Sequence, residues 1–297
     1  MPTECDVVEC DYRTIEGAVA GAREVASLCK TTGVHYVVCH AESIAASSKR
    51  ETVGENEFHL ATNHLNHFAF VNALFPTVVK GAKALAEGDE CRVIVTTDWC
   101  QCFAYAYPNA PPIGVKRIQQ ISELDPRPEN KGKLAPWSLP YRRQRSYCNA
   151  KLLNMLHARD LHRRAAALGV PNVNSCSVHP GFVADTYRRL LQPYFSWFPV
   201  LFELIFQGIC LLFAKSLEQQ AATVVYCVAC PKLVPWNKGG MYADCWEIEA
   251  ADAGNLSSGQ CLAAERMWTL SSALTKTQLS TEPAKLEVEI DTSRFPK

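Results

Sequence analysis

Three short apolar runs decide what this chain can fold into. Residues 34–39 (VHYVVC), 91–97 (CRVIVTT) and 172–178 (NVNSCSV) are too short for stable helices. The first two alternate little between apolar and polar, as strands buried on both faces do. Helical spacing separates them. Over 14–30 the apolar positions are Ile15, Val19, Ala22, Val25, Ala26 and Cys29. Residues 58–85, with a break expected near Pro76, 147–168 and 265–274 show the same spacing. Residues 6–10 (DVVEC) are a further short strand candidate, ended by Asp11, and Gly239-Gly240-Met241-Tyr242 opens a last one. Strands alternating with helices imply an α/β fold, a mostly parallel sheet with helices on both faces.

Composition narrows the classes. The chain has 297 residues, 48% of them hydrophobic, enough for one large α/β domain or two small ones. Lys+Arg and Asp+Glu both number 30, so no basic stripe marks a nucleic-acid partner. Fourteen cysteines scatter through apolar segments, as at Cys39, Cys91, Cys176 and Cys227, and no secretory leader opens the sequence. Reduced thiols and an intracellular setting are expected, in the cytoplasm or at an intracellular membrane. Cys227-x-x-Cys230 lacks a second pair at zinc-like spacing, and His59, His64 and His67 fall on different parts of a helix, so no metal is expected. The expected domain covers 1–274, with a proline-rich polar insertion at 103–146 and a polar tail at 275–297.

Residues 193–214 (PYFSWFPVLFELIFQGICLLFA) are the most apolar stretch. A span needs about 20 such residues, but Pro199, Glu203, Gln207 and Gly208 interrupt this one. The expectation is a greasy lid over a lipophilic small molecule, touching a membrane surface. Plain core packing or a homodimer contact is the alternative.

Tyr147-Cys148-Asn149-Ala150-Lys151 reads Y-x-x-x-K at the head of a helical run. Positions four apart share a helix face, so a phenol and an ammonium lie side by side. A free tyrosine has a pKa of about 10, and a cation within a few ångströms lowers it. Such a pair serves as a proton donor and acceptor near neutral pH. An ordinary amphipathic helix with one surface lysine gives the same spacing.

Several segments in order resemble the short-chain dehydrogenase/reductase family. Asn63-His64-Leu65-Asn66-His67-Phe68 is similar to its N-H-L-G-H-F segment. Residues 92–98 are similar to its fifth strand, Tyr147 and Lys151 to its catalytic pair, and His179-Pro180-Gly181 to the segment that closes over the nicotinamide. Lys215 to Thr223, followed by Gly239 to Tyr242, look most like the branch holding the WW-domain-containing oxidoreductases and retinol dehydrogenases, without the WW modules. The resemblance implies a Rossmann-like fold and reversible hydride transfer between NAD or NADP and a retinoid- or steroid-type alcohol or carbonyl. It assigns Tyr147 as proton donor, Lys151 as its modulator and ribose ligand, and Asn63 as holder of a relay water. Asp11 takes the place that reaches the adenine, and Pro180, Gly181 and Thr186 line the cofactor. Asn63 could equally cap a buried backbone group.

Three departures from the family pattern stand out. No glycine-rich phosphate loop follows the first strand candidate; Gly17 and Gly21 read as helix interior. The chain therefore reads as starting at the family's third strand, without the first two, in a sheet whose family order is 3-2-1-4-5-6-7. Cys39-His40-Ala41-Glu42 stands where the family has N-N-A-G, so Glu42 brings bulk and charge to the cofactor's side. Asp98 occupies the catalytic serine position, with Thr97 as the alternative hydroxyl, and Asp185 precedes Thr186 where a threonine is expected. These departures imply the rival reading: a catalytically inactive scaffold used for interaction or regulation, or a piece of a longer enzyme.

Overall fold

A computed structural model describes residues 5–46, 51–98, 143–231, 239–248 and 258–282. Its strands in chain order are β1 (Tyr36–Cys39), the small hairpin β2 (Thr52–Val53) and β3 (Asn56–Glu57), β4 (Cys91–Thr96), β5 (Val173–Val178), β6 (Met241–Ala243) and β7 (Trp246–Glu247). The main sheet has the order β1-β4-β5-β6-β7. Its first four strands are parallel, and β7 returns antiparallel to β6. The expected α/β architecture is the observed one.

The helices are α1 (Ile15–Leu28), α2 (Phe58–Leu60), α3 (Asn66–Ala84), α4 (Arg143–Ala167), α5 (Ala184–Leu191), α6 (Pro199–Phe213), α7 (Leu217–Ala229) and α8 (Ser258–Thr275). Thr14 caps α1 by accepting from the Gly17 amide, and Ser216 with Gln219 closes a capping box on α7. Strand side chains alternate between faces, so the sheet feeds two cores. Val37, Cys39, Val93, Val95 and Val173 pack with α3, α4 and α8. Ile94, Cys176 and Val178 pack with Cys227 and Tyr242 in a smaller core on the other face.

The structure corrects several expectations. Residues 6–10 form no strand; Cys10 instead packs on α1, its thiol donating to the Gly17 carbonyl. Among the described residues β1 pairs only with β4, and residues 6–10 do not join its other edge. The break in the long helical pattern is not at Pro76, which lies inside α3, but upstream, at a π-helical turn over Ala61–Leu65. Residues 143–146 of the expected insertion are the first turn of α4, and 103–142 lie outside the described residues. The stretch 193–214 resolves into a 3₁₀ turn (Gln192–Phe195) and α6. Among the described residues no single helix is long and apolar enough to cross a membrane; α6 and α7, bent by 48°, meet that test only together. The expected tail starts inside α8, and 283–297 lie outside the described residues.

Candidate active site

Tyr147 and Lys151 lie one turn apart on the buried face of α4, with 0% and 1% of their surface exposed. The Lys151 ammonium is 5.4 Å from the centre of the Tyr147 ring. Its ion-pair partner is Glu42: Nζ donates to Oε2 at 2.6 Å. The other oxygen of Glu42 accepts from Thr186 Oγ1 at 3.2 Å, and the carboxylate also engages the Tyr147 hydroxyl. Burial pushes the Glu42 carboxyl up. The Lys151 charge and the bonds from Lys151, Tyr147 and Thr186 outweigh that and hold it below its ordinary value.

The segment that carries Glu42 is pinned residue by residue. His40 Nδ1 bonds Thr96 Oγ1 at 2.8 Å, and His67 Nε2 donates to the Ala41 carbonyl at 2.8 Å. Asn63 sits on the π-helical turn, a geometry that recurs at functional sites. Its amide clamps Ser43 from both sides, accepting from the backbone N–H and donating to the carbonyl, each at 2.8 Å. Beyond it, the Ala45 amide donates to His59 Nε2, and Arg143 donates to the Ala45 carbonyl. Asn63 thus satisfies buried backbone groups, the alternative its residue type allowed.

The remaining predicted residues divide. Asp98 follows β4 and accepts from the Tyr187 hydroxyl at 2.6 Å. Thr97 donates to the Lys151 backbone carbonyl at 2.8 Å, which turns the alternative hydroxyl toward the backbone of α4. Pro180 and Gly181 lie in the segment between β5 and α5. Gly181 has φ +96°, and a Cβ there would meet the Lys215 side chain, so the lysine stem lies against this glycine. Lys215 pairs with Asp244. Asp11 is not gathered into this cluster; it stands on an exposed turn, bonded to Arg13.

Two positioning residues escaped the sequence reading. Tyr187 holds Asp98. Asn154 donates to the carbonyls of Asn63 and Thr96 and pairs with His64 Nδ1, joining the π-helical turn, β4 and α4. The spacing 147, 151, 154 on one helix was its available signal.

No protein-family model matches the chain. It is 29% identical over 256 residues to the WW domain-containing oxidoreductase of Homo sapiens, covering 85% of this chain and 51% of that protein. It is 25% identical over 189 residues to the chloroplastic short-chain dehydrogenase TIC 32 A of Brassica napus, covering 64% of this chain and 49% of that one. The resemblance to short-chain dehydrogenases/reductases holds. A solved structure of an uncharacterized protein from Mycobacterium paratuberculosis shares the fold, with a TM-score of 0.51 at 20% identity over 93% of this chain and 77% of that one. The chain spans about half the length of the curated relatives it matches.

A short-chain dehydrogenase/reductase implies a nicotinamide cofactor, NAD or NADP. The described residues do not fit one as they stand. Lys151, Tyr147 and Thr186 converge, but on the carboxylate of Glu42. The space over Gly17 and Gly21 is taken by the chain itself: a Cβ at Gly17 would meet the Asp11 carbonyl at 2.4 Å, and one at Gly21 the Cys10 thiol at 2.5 Å. A dinucleotide phosphate needs such glycine backbone open to it.

Proposed function

We propose that this chain is an oxidoreductase of the short-chain dehydrogenase/reductase kind, acting with NAD or NADP on a lipophilic alcohol or carbonyl of retinoid or steroid type. The observation that carries this reading is the Tyr147–Lys151 pair on the buried face of α4, beside the end of β4. In reduction the Tyr147 hydroxyl supplies the proton to the nascent alkoxide; in oxidation it takes it back. Lys151 favours the phenolate by its charge.

A run of rings supports a lipophilic substrate. Tyr187, held on Asp98, stacks on Phe182 with centroids 4.6 Å apart. Phe182 meets Phe206, which stacks on Phe202, which stacks on Phe195. Phe195 and Phe202 help line a cavity of about 350 Å³ beside α6. These contacts support reading the apolar stretch as a lid over a greasy ligand, and a membrane-surface contact through it belongs to the same reading.

The test is a fluorescence titration with NADH and NADPH, followed by turnover of retinoid and steroid aldehydes and ketones. General acid–base groups contribute about 10²- to 10⁴-fold, so Tyr147→Phe is expected to lose at least about 100-fold in turnover. A Tyr147→Phe protein as fast as the wild type sinks the assignment.

A second reading is favoured by Glu42 on Lys151. The fold is then a catalytically silent scaffold that keeps the acid–base helix as architecture. Folded protein that binds neither nucleotide supports it.

A further inference from the structure

We propose that Lys151, Tyr147 and Thr186 form a binding site for a carboxylate, that Glu42 is its resident occupant, and that any other ligand of the acid–base pair must displace it. The inference rests on the reading that Tyr147 and Lys151 are the working centre. Two donors from separate elements close on one carboxylate, the Lys151 ammonium of α4 at 2.6 Å and the Thr186 hydroxyl of α5 at 3.2 Å, with the Tyr147 hydroxyl beside them. Both oxygens are used, as a bound organic acid would use them.

The geometry sets out how exchange occurs. Lys151 is the enclosed partner, with 2% of its side chain exposed, whereas Glu42 keeps 24% and so forms the rim of the site. The segment around Glu42 is held through the His40 ring and through the backbone of Ala41, Ser43 and Ala45. Opening the site therefore calls for rotation of the Glu42 side chain into solvent, with the segment left in place. A departing carboxylate leaves a buried ammonium, which is costly unless an anion replaces it. The ligand class that fits is a small molecule bearing a carboxylate.

The experiment follows thermal melting of the wild type, Glu42→Ala and the double variant Glu42→Ala/Lys151→Met in rising sodium acetate, against sodium chloride at matched ionic strength. Glu42→Ala should melt below the wild type and recover saturably with acetate and not with chloride. The wild type and the double variant should show no such response. A Glu42→Ala protein that melts like the wild type, or gains no more from acetate than the wild type does, overturns the proposal. If Glu42→Ala fails to fold, refolding yield replaces melting: rescue by acetate supports the site, and equal yields in acetate and chloride overturn it. NADH and NADPH titrations separate this proposal from the oxidoreductase reading. Acetate rescue without nucleotide binding in any variant leaves the carboxylate site standing and removes the oxidoreductase reading. Nucleotide binding at least about tenfold tighter in Glu42→Ala than in the wild type supports displacement. Equal binding overturns it.

Discussion

Helices α4 and α6 invert the usual relation between composition and burial. α4 carries Arg143, Lys151, Asn154, His157 and Asp160 and buries every one. α6 carries Val200, Leu201, Leu204, Ile205, Ile209, Leu211, Leu212 and Phe213, leaves all eight exposed, and buries Phe206. The difference lies in partners. In α4, Arg143 donates to the carbonyls of Ala45, Ala46 and Leu190, Lys151 to Glu42, and Asn154 to two backbone carbonyls, while Asp160 accepts from Arg163 and Arg164. Buried polar groups are tolerated when satisfied; His157 departs from this, its ring nitrogens finding no hydrogen-bond partner among the described residues while the ring packs on Phe68 and Trp268. On α6 the exposed apolar side chains cover an arc of about 220° at 3.6 residues per turn, and Glu203 and Gln207 fall outside that arc. The first helix is specified by contacts at single positions. The second is specified by composition, so its outward positions should be individually replaceable.

Acid should break the contrast most deeply, because α4 packs on a cluster of buried imidazoles. Burial lowers His64 and His67 to about 4 and His157 well below its usual 6.5. The folded state thus keeps them neutral while the unfolded chain binds their protons. Their stabilisation is full above about pH 6.5 and is lost as the pH falls toward 4, by about 3 kcal/mol for each of His64 and His67. Urea midpoints at pH 7.5 and pH 5 check this, and equal midpoints would show that the cluster accepts charge.

Arg143→Met comes next. It strands carbonyls in two segments and should cost about 3–5 kcal/mol in urea unfolding. A loss below about 1 kcal/mol would mean that the polar contacts of α4 are replaceable, like the outward face of α6.

The smallest effects sharpen the other side. Phe206→Ala removes the buried ring of α6 and should cost about 3 kcal/mol. Leu211→Ser and Leu212→Ser, on its exposed face, should change stability by about 0.5 kcal/mol or less. Larger losses there would show that a partner covers this face in solution.

Much of the scaffold was legible beforehand because it rests on local pattern. The apolar runs at 34–39, 91–97 and 172–178 contain β1, β4 and β5, and the helical spacing after Tyr147 lies within α4. The Tyr147–Lys151 pairing followed from helix period alone. Residues 6–10 have the composition of a strand, but the segment packs on α1 and leaves the outer edge of β1 unpaired among the described residues. Pro76 reads as a breaker, yet α3 runs through it while the irregularity sits at Asn63. The sequence marked Glu42 as a foreign charge in the site; nothing local said that it would reach a lysine 109 positions away.

By itself the sequence determined the α/β alternation, the face shared by Tyr147 and Lys151 and the absence of a glycine-rich loop after the first strand candidate, because strand period, helix period and turn chemistry act over a few residues. Only the tertiary structure decided that Asn63 clamps Ser43, that Tyr187 holds Asp98 and that Glu42 fills the acid–base site. Those contacts join segments far apart in sequence, and their strength depends on burial and on the partners that the fold brings within bonding distance.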